Sequence, residues 1–124
     1  DGFQTCVMAP GALQAMRTDV LKYLHEADRD VEQFPIMAYH NVNIGSDSAS
    51  CLEESQRFLD AYYGPVFTPP VVESWTAAGT PDQCIAHLQD LIDQGASEIT
   101  LRLTSFDQDG QFRRLVEEVL PALG

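Results

Sequence analysis

Apolar residues recur along this chain in two rhythms, a period of two that marks strands and a period near 3.6 that marks helices. Residues 2–7 (Gly-Phe-Gln-Thr-Cys-Val) form a strand-like run that breaks at Pro10-Gly11. Leu13, Met16, Val20, Leu24 and Ala27 then recur at three- and four-residue steps, one stripe of an amphipathic helix ending near Arg29-Asp30. Residues 34–44 read as a strand, with Ile36, Ala38, His40, Val42 and Ile44 on one face and Met37, Tyr39, Asn41 and Asn43 on the other. Gly45-Ser46-Asp47 stops it, and Asp47 is placed to cap a second helix whose stripe is Leu52, Phe58, Leu59 and Tyr62.

Gly64-Pro65 closes that helix. Residues 65–79, carrying Pro65, Pro69, Pro70 and Gly79, read as one long proline-rich loop, because each proline fixes φ and lacks a donor. Thr80-Pro81-Asp82-Gln83 is a capping box with proline at the first helical position. The helix it starts buries Ile85, Leu88, Leu91 and Ile92 and ends at Gly95. Residues 99–104 form a strand with Ile99, Leu101 and Leu103 on one face and Thr100, Arg102 and Thr104 on the other. Phe112, Leu115, Val116 and Val119 make a last stripe, stopped at Pro121.

Strands separated by long crossovers predict an α/β fold with a parallel sheet. Three such strands with helices on one side leave the other sheet face bare, so something else is expected to cover it. The chain has 124 residues, 44% of them apolar, which suits one packed segment and not a disordered one. Nineteen acidic against seven basic side chains, a net charge of -12, argue against nucleic acid and against an anionic membrane surface. No run of eighteen apolar residues exists to span a bilayer. Cys6, Cys51 and Cys84 are odd in number, far apart and without metal-ligand spacing, which points to a reducing, cytoplasmic compartment. The chain opens at Asp1 without an initiator Met and reads as a fragment.

The string Gly79-Thr80-Pro81-Asp82-Gln83-Cys84, followed by Leu88, Gly95-Ala96 and the strand Ile99-Thr100-Leu101-Arg102-Leu103, resembles the C-terminal part of the luciferase-like monooxygenases, the flavin- or F420-dependent oxidoreductases related to bacterial luciferase. Asp1-Gly2-Phe3 is similar to that family's Asp-Gly-aromatic strand, Phe58-Leu59-Asp60-Ala61-Tyr62-Tyr63-Gly64 to a common helix end, and Glu117-Glu118-Val119-Leu120-Pro121 to its usual terminus. The resemblance covers essentially all of residues 1–124 as a single segment. It implies the C-terminal portion, about three βα units, of a (β/α)8 TIM barrel, since a whole barrel takes roughly 250 residues. It further implies FMN or coenzyme F420 as cofactor, a small organic substrate, a missing N-terminal part of the barrel and a homo-oligomer.

Four residues are candidates for cofactor contact. Arg102 is placed opposite the apolar helix-facing positions, hence inward, and a buried guanidinium there needs an anionic partner, either a cofactor group or a bracing carboxylate. Thr104 follows at the C-terminal end of its strand, with Ser105 and Asp107, where barrel enzymes hold ligands or where these side chains simply cap a helix. His40 serves a cofactor only if its face is the interior one, and a lone histidine is more often a satisfied core residue. Gly2 permits close approach of a ring or of neighbouring backbone. Asp1 is a candidate partner for an interior cation. Trp75 and Phe67 either line a substrate mouth or fold back on the surface, while His25 and His87 read as solvent-facing. The function expected is that of an oxidoreductase fragment, inactive alone, with no catalytic residue assignable and no metal site. The alternative is a non-catalytic α/β module that oligomerises through its bare sheet face.

Overall fold

The computed structural model describes residues 2–32 and 34–123, so Asp1 lies outside the described residues. The elements in chain order are β1 (Phe3–Cys6), α1 (Ala12–Glu26), β2 (Ile36–Ile44), α2 (Ser48–Tyr63), α3 (Pro69–Ser74), β3 (Thr76–Gly79), α4 (Pro81–Asp93), β4 (Glu98–Leu103) and α5 (Gln108–Arg114). The last helix continues through a π-turn, Leu115–Val119, and a 3-10 turn, Leu120–Ala122, at Pro121. All strands are parallel and the sheet is unclosed, an α/β arrangement consistent with part of a (β/α)8 barrel.

Among the described residues four strands are present where the hydrophobic pattern predicts three. β2 is central: residues 36–39 pair with β1, residues 41–44 with β3, and residues 37–42 with β4. Because β4 overlaps both other partners and a strand has only two edges, β1 and β3 share one edge end to end. The backbone agrees. Odd-numbered residues of β2 face that shared edge, as in Asn41 N–H to the Trp75 carbonyl (3.0 Å), while even-numbered ones face β4, as in Ser97 N–H to the Ile36 carbonyl (2.8 Å). Past the end of β4, the Ile44 amide and carbonyl are taken up by the Gln111 side chain (2.8 and 2.7 Å), and Arg114 donates to the same carbonyl (2.8 Å).

Residues 65–79 are therefore not a single loop. Pro69 and Pro70 occupy the first turn of α3, where their missing N–H groups have no intrahelical acceptor, and β3 is a buried Thr-Ala-Ala-Gly run too short and too small to show a period.

Even-numbered β2 side chains join Leu13 of α1, Cys84, Leu88 and Leu91 of α4, and Leu115 and Val119 in the main core. The opposite face is covered over its C-terminal half by α2 and α3, through a second cluster of Leu59, Val72 and Trp75 with Cys6, Met8, Tyr39 and Phe67. That face is bare only at its N-terminal end, where Gln4 and Thr100 are exposed, rather than throughout as the sequence suggests. Two predicted stripes shift as a result. In α2 the buried positions are Cys51, Ser55 and Leu59, and Tyr62 is 68% exposed. In the last helix Leu115 and Val119 are buried, and Phe112 (62%) and Val116 (43%) are not.

The helix ends follow their sequence signals. Asp47 accepts from the Ser50 amide at 2.8 Å, and Gly95 takes φ +102 after α4. At α4 the Thr80 hydroxyl accepts from the Gln83 amide while the Gln83 side chain accepts from the Thr80 amide at 2.9 Å. Thr80→Ala is expected to lower stability by roughly 1 kcal/mol. That corresponds to a drop of about 4 °C in a thermal melt, with the far-UV dichroism of the folded state unchanged.

Candidate functional site

Alternation along β4 puts Arg102 on the face opposite the main core, beside its register partner Asn41. Its Nε donates to Asn41 Oδ1 at 2.9 Å and its Nη1 to the Tyr63 hydroxyl at 2.8 Å. The guanidinium carbon lies 5.1 to 5.8 Å from the ring centroids of Tyr39, Tyr62, Tyr63 and Trp75. These are cation–π distances, and the quadrupoles of the rings supply part of the stabilisation that a counter-ion otherwise gives. Among the described residues no carboxylate pairs with Arg102, so the salt bridge expected to brace it is replaced by neutral oxygens and aromatic faces. Its Nη2 is buried without an acceptor, and so is Asn41 Nδ2; the hydroxyl of Thr76, opposite Asn41 on β3, is likewise unpartnered.

The enclosing groups come from three places. Tyr39 stands on β2, Tyr62 and Tyr63 end α2, and Trp75 ends α3. Trp75 is neither a surface residue nor a loop-mouth residue: it is 2% exposed, its Nε1 donates to the Tyr39 carbonyl at 2.8 Å, and Phe67 meets its ring edge-on at 5.4 Å. The signal that could have found this cage is the aromatic density of residues 58–67 together with the odd-residue face of β2.

Thr104 is at the C-terminal end of the same strand and is fully buried. Its hydroxyl bonds Ser55 Oγ at 2.9 Å and the Val42 carbonyl at 3.4 Å. Around it, Asn43 Nδ2 donates to the Thr104 and Cys51 carbonyls and to Glu54 and Ser55, all between 3.0 and 3.2 Å. Glu54 Oε1 accepts from Ser105 Oγ (2.9 Å) and the Phe106 amide (3.1 Å). Burial pushes the Glu54 carboxyl up, but the hydrogen bonds from Asn43, the Phe106 amide and Ser105 outweigh it and hold the group below its ordinary range. This network docks α2 onto the ends of β2 and β4. Asp107 accepts from the Gly110 amide at 3.0 Å and caps α5. Glu54 and Asn43 carry no motif, so sequence reading missed them.

His40 lies on the helical face with Ala38 and Val42, away from Arg102, because it is even-numbered. Its Nε2 meets His87 Nε2 at 2.9 Å, so His87 is turned inward rather than to solvent. Burial, and after it the neighbouring His87, push His40 down to about 3; burial lowers His87 as well, against the opposing pull of Asp90. Gly2 is exposed, and a Cβ there would meet Pro35 Cγ at 2.8 Å, so its smallness serves the packing of β1 on the entry to β2. The three cysteines are free thiols, and burial pushes Cys84 up to about 12, which leaves it inert as a nucleophile. Among the described residues no group of three His, Cys, Asp or Glu side chains is arranged to hold a metal, and no helix is long and apolar enough to cross a membrane.

No protein-family model matches the sequence, and no curated protein matches it. Solved structures do. The coenzyme F420-dependent tetrahydromethanopterin reductase of Methanopyrus kandleri superposes with a TM-score of 0.74 at 14% identity, over 99% of this chain and 45% of that one. An F420-dependent secondary alcohol dehydrogenase, solved with an F420–acetone adduct, gives 0.84 at 14% identity over 100% and 43%. A long-chain alkane monooxygenase gives 0.68 at 16% identity over 98% and 36%. The chain thus spans less than half the length of each of these proteins, and what it shares with them is the fold.

The histidine pair makes stability pH-dependent. A base whose folded pKa is depressed contributes stability that is present above its unfolded pKa, about 6.5, and is lost as the pH falls. Acidification from pH 7 to 5 is expected to cost about 2 kcal/mol through His40 alone, before the carboxylates titrate. Urea melts at the two pH values measure it, and His40→Leu should flatten the dependence.

Proposed function

We propose that this chain is the C-terminal segment of an oxidoreductase of the luciferase-like type that uses F420 or a flavin on a small organic substrate, and that the segment alone is inactive. The observation that carries this reading is the superposition of the entire chain on an F420-dependent secondary alcohol dehydrogenase at a TM-score of 0.84. The residues fit such a cofactor at one place. The unpartnered N–H groups of Arg102 and Asn41 suit an acceptor-rich edge, and the rings beside them suit a planar heterocycle or its neighbours. When bound, the cofactor supplies hydride transfer if it is F420, or oxygen-dependent oxidation if it is a flavin. Arg102 is the proposed cofactor contact. His40 and Thr104 hold strand to helix, and Gly2 seats β1. The parent is read as cytoplasmic, in keeping with three free thiols, and as a homo-oligomer.

A second reading, a non-catalytic oligomerising module, draws on the outer edge of β4, unpaired among the described residues, and on the exposed apolar row Phe112, Val116 and Leu120 at helical spacing. The first reading assigns that edge and row to the preceding strand and helix of the same barrel.

The parent polypeptide, titrated separately with F420 and FMN, is expected to bind one of them with quenching of the cofactor's fluorescence. Arg102→Met is expected to weaken that binding roughly tenfold or more. A parent that binds neither, with a 124-residue chain that sediments as a stable dimer or higher oligomer, would favour the module.

A further inference from the structure

The surroundings of Arg102 contain a specific imbalance. On a chain with 19 acidic residues, one half-buried cation has been kept clear of every described carboxylate and boxed by four aromatic rings. The ring centroids lie 5.1 to 5.8 Å from the guanidinium carbon, and the Nη1 bond ends on the Tyr63 hydroxyl. Nη2 retains its two N–H groups, Asn41 retains two more on Nδ2, and Thr76 a hydroxyl, all buried and without protein acceptors. Asn41 is 0% exposed and Thr76 2%, so no solvent reaches these groups in this arrangement. Each buried donor left unmatched is costly, and these three residues are register partners on adjacent strands, Arg102 beside Asn41 and Asn41 beside Thr76. Of the groups that hydrogen-bond Arg102, Asn41 is buried and Tyr63, at the end of α2, is 43% exposed. The chain leaves it through Gly64 at φ +82 and ψ 169, a backbone conformation essentially reserved for glycine.

We propose that Arg102, Asn41 and Thr76 form an oxyanion subsite, for a carboxylate or a phosphate, and that in the free chain the Tyr63 hydroxyl occupies the place of one anion oxygen. The inference deepens the cofactor reading and rests on it for the ligand's origin: the oxyanion belongs to the cofactor's charged tail or to an acidic substrate. The subsite itself belongs to this chain. A carboxylate or a phosphate is an acceptor that suits Nη1 and Nη2 of the guanidinium fork, with Asn41 Nδ2 on the neighbouring strand as a further donor. Arg102 acts here as a binding residue, and Tyr63 yields to the ligand.

The test is calorimetric titration of the 124-residue chain with sodium phosphate and, separately, sodium acetate, each against chloride at matched ionic strength, with Trp75 emission followed in parallel. Saturable binding is expected for at least one of them. Phosphate alone points to a cofactor phosphate, and both together to any oxyanion, carboxylate included. Arg102→Met, verified as folded by dichroism, should weaken binding roughly tenfold or more. If that variant does not fold, Arg102→Lys keeps the charge without the planar fork and should weaken it severalfold. Tyr63→Phe removes the competing hydroxyl and should tighten it. No saturable heat with either anion, or equal affinity in the folded Arg102 variant, overturns the proposal. A parent enzyme whose F420 or FMN affinity ignores Arg102 while the chain still binds phosphate leaves the subsite standing and assigns it to substrate. A chain that binds phosphate within a parent that binds no cofactor removes the cofactor reading and leaves the subsite.

Discussion

Everything in this fold is referred to β2, which among the described residues is the one strand with neighbours on both edges. Its even residues bond β4 and its odd residues bond β1 and then β3, so its two edges leave no backbone group of residues 36–44 in need of another strand. The same alternation divides its side chains. Ala38 and Val42 enter the main core with His40 on the same face against His87, and Tyr39, Asn41 and Asn43 enter the space beneath α2 and α3. A one-residue slip would exchange the two sets and bury three polar side chains among aliphatic ones.

From that constraint follow two polar clusters of opposite character. At Asn43 the donors and acceptors match: Glu54, Ser55, Thr104 and Ser105 close on one another and tie α2 to the sheet. At Asn41 and Arg102, one pair of residues nearer the N-terminal end, they do not, and donors are left over. A satisfied network behaves as structure, whereas unsatisfied donors in a buried place are where function is to be sought. The outer edge of β4, unpaired among the described residues, and the open N-terminal end of the same face are consistent with part of a (β/α)8 barrel.

Much of this was legible in the sequence, for identifiable reasons. The capping box at Thr80 and the cap at Asp47 are local, so residue types a few positions apart specify them. The inward placement of Arg102 follows from the period of two in β4. β3 was not legible, because Thr-Ala-Ala-Gly has neither period nor β-branched bulk beyond one threonine, and α3 was hidden by prolines that start a helix as readily as they end one. Nor was the cage: Arg102 meets Asn41 across 61 residues and Tyr63 across 39, and no local pattern encodes contacts of that separation. For His40 alternation fixes which residues share a face but not which face is the ligand's, and the structure places it on the helical face against His87.

The proposal that β4 is an interior strand of a barrel completed elsewhere in a parent protein is tested most directly at the backbone of that strand. By alternation from the Thr104 amide, which bonds the Val42 carbonyl of β2, and by the register of β4 on β2, the amides of Ile99 and Leu101 point to the open edge. Hydrogen exchange measured residue by residue should find these two amides fast in the 124-residue chain and strongly protected in the parent protein, with Thr100 and Arg102 protected in both. Equal, fast exchange of Ile99 and Leu101 in the parent would mean that no strand closes on β4, and the barrel account would be wrong.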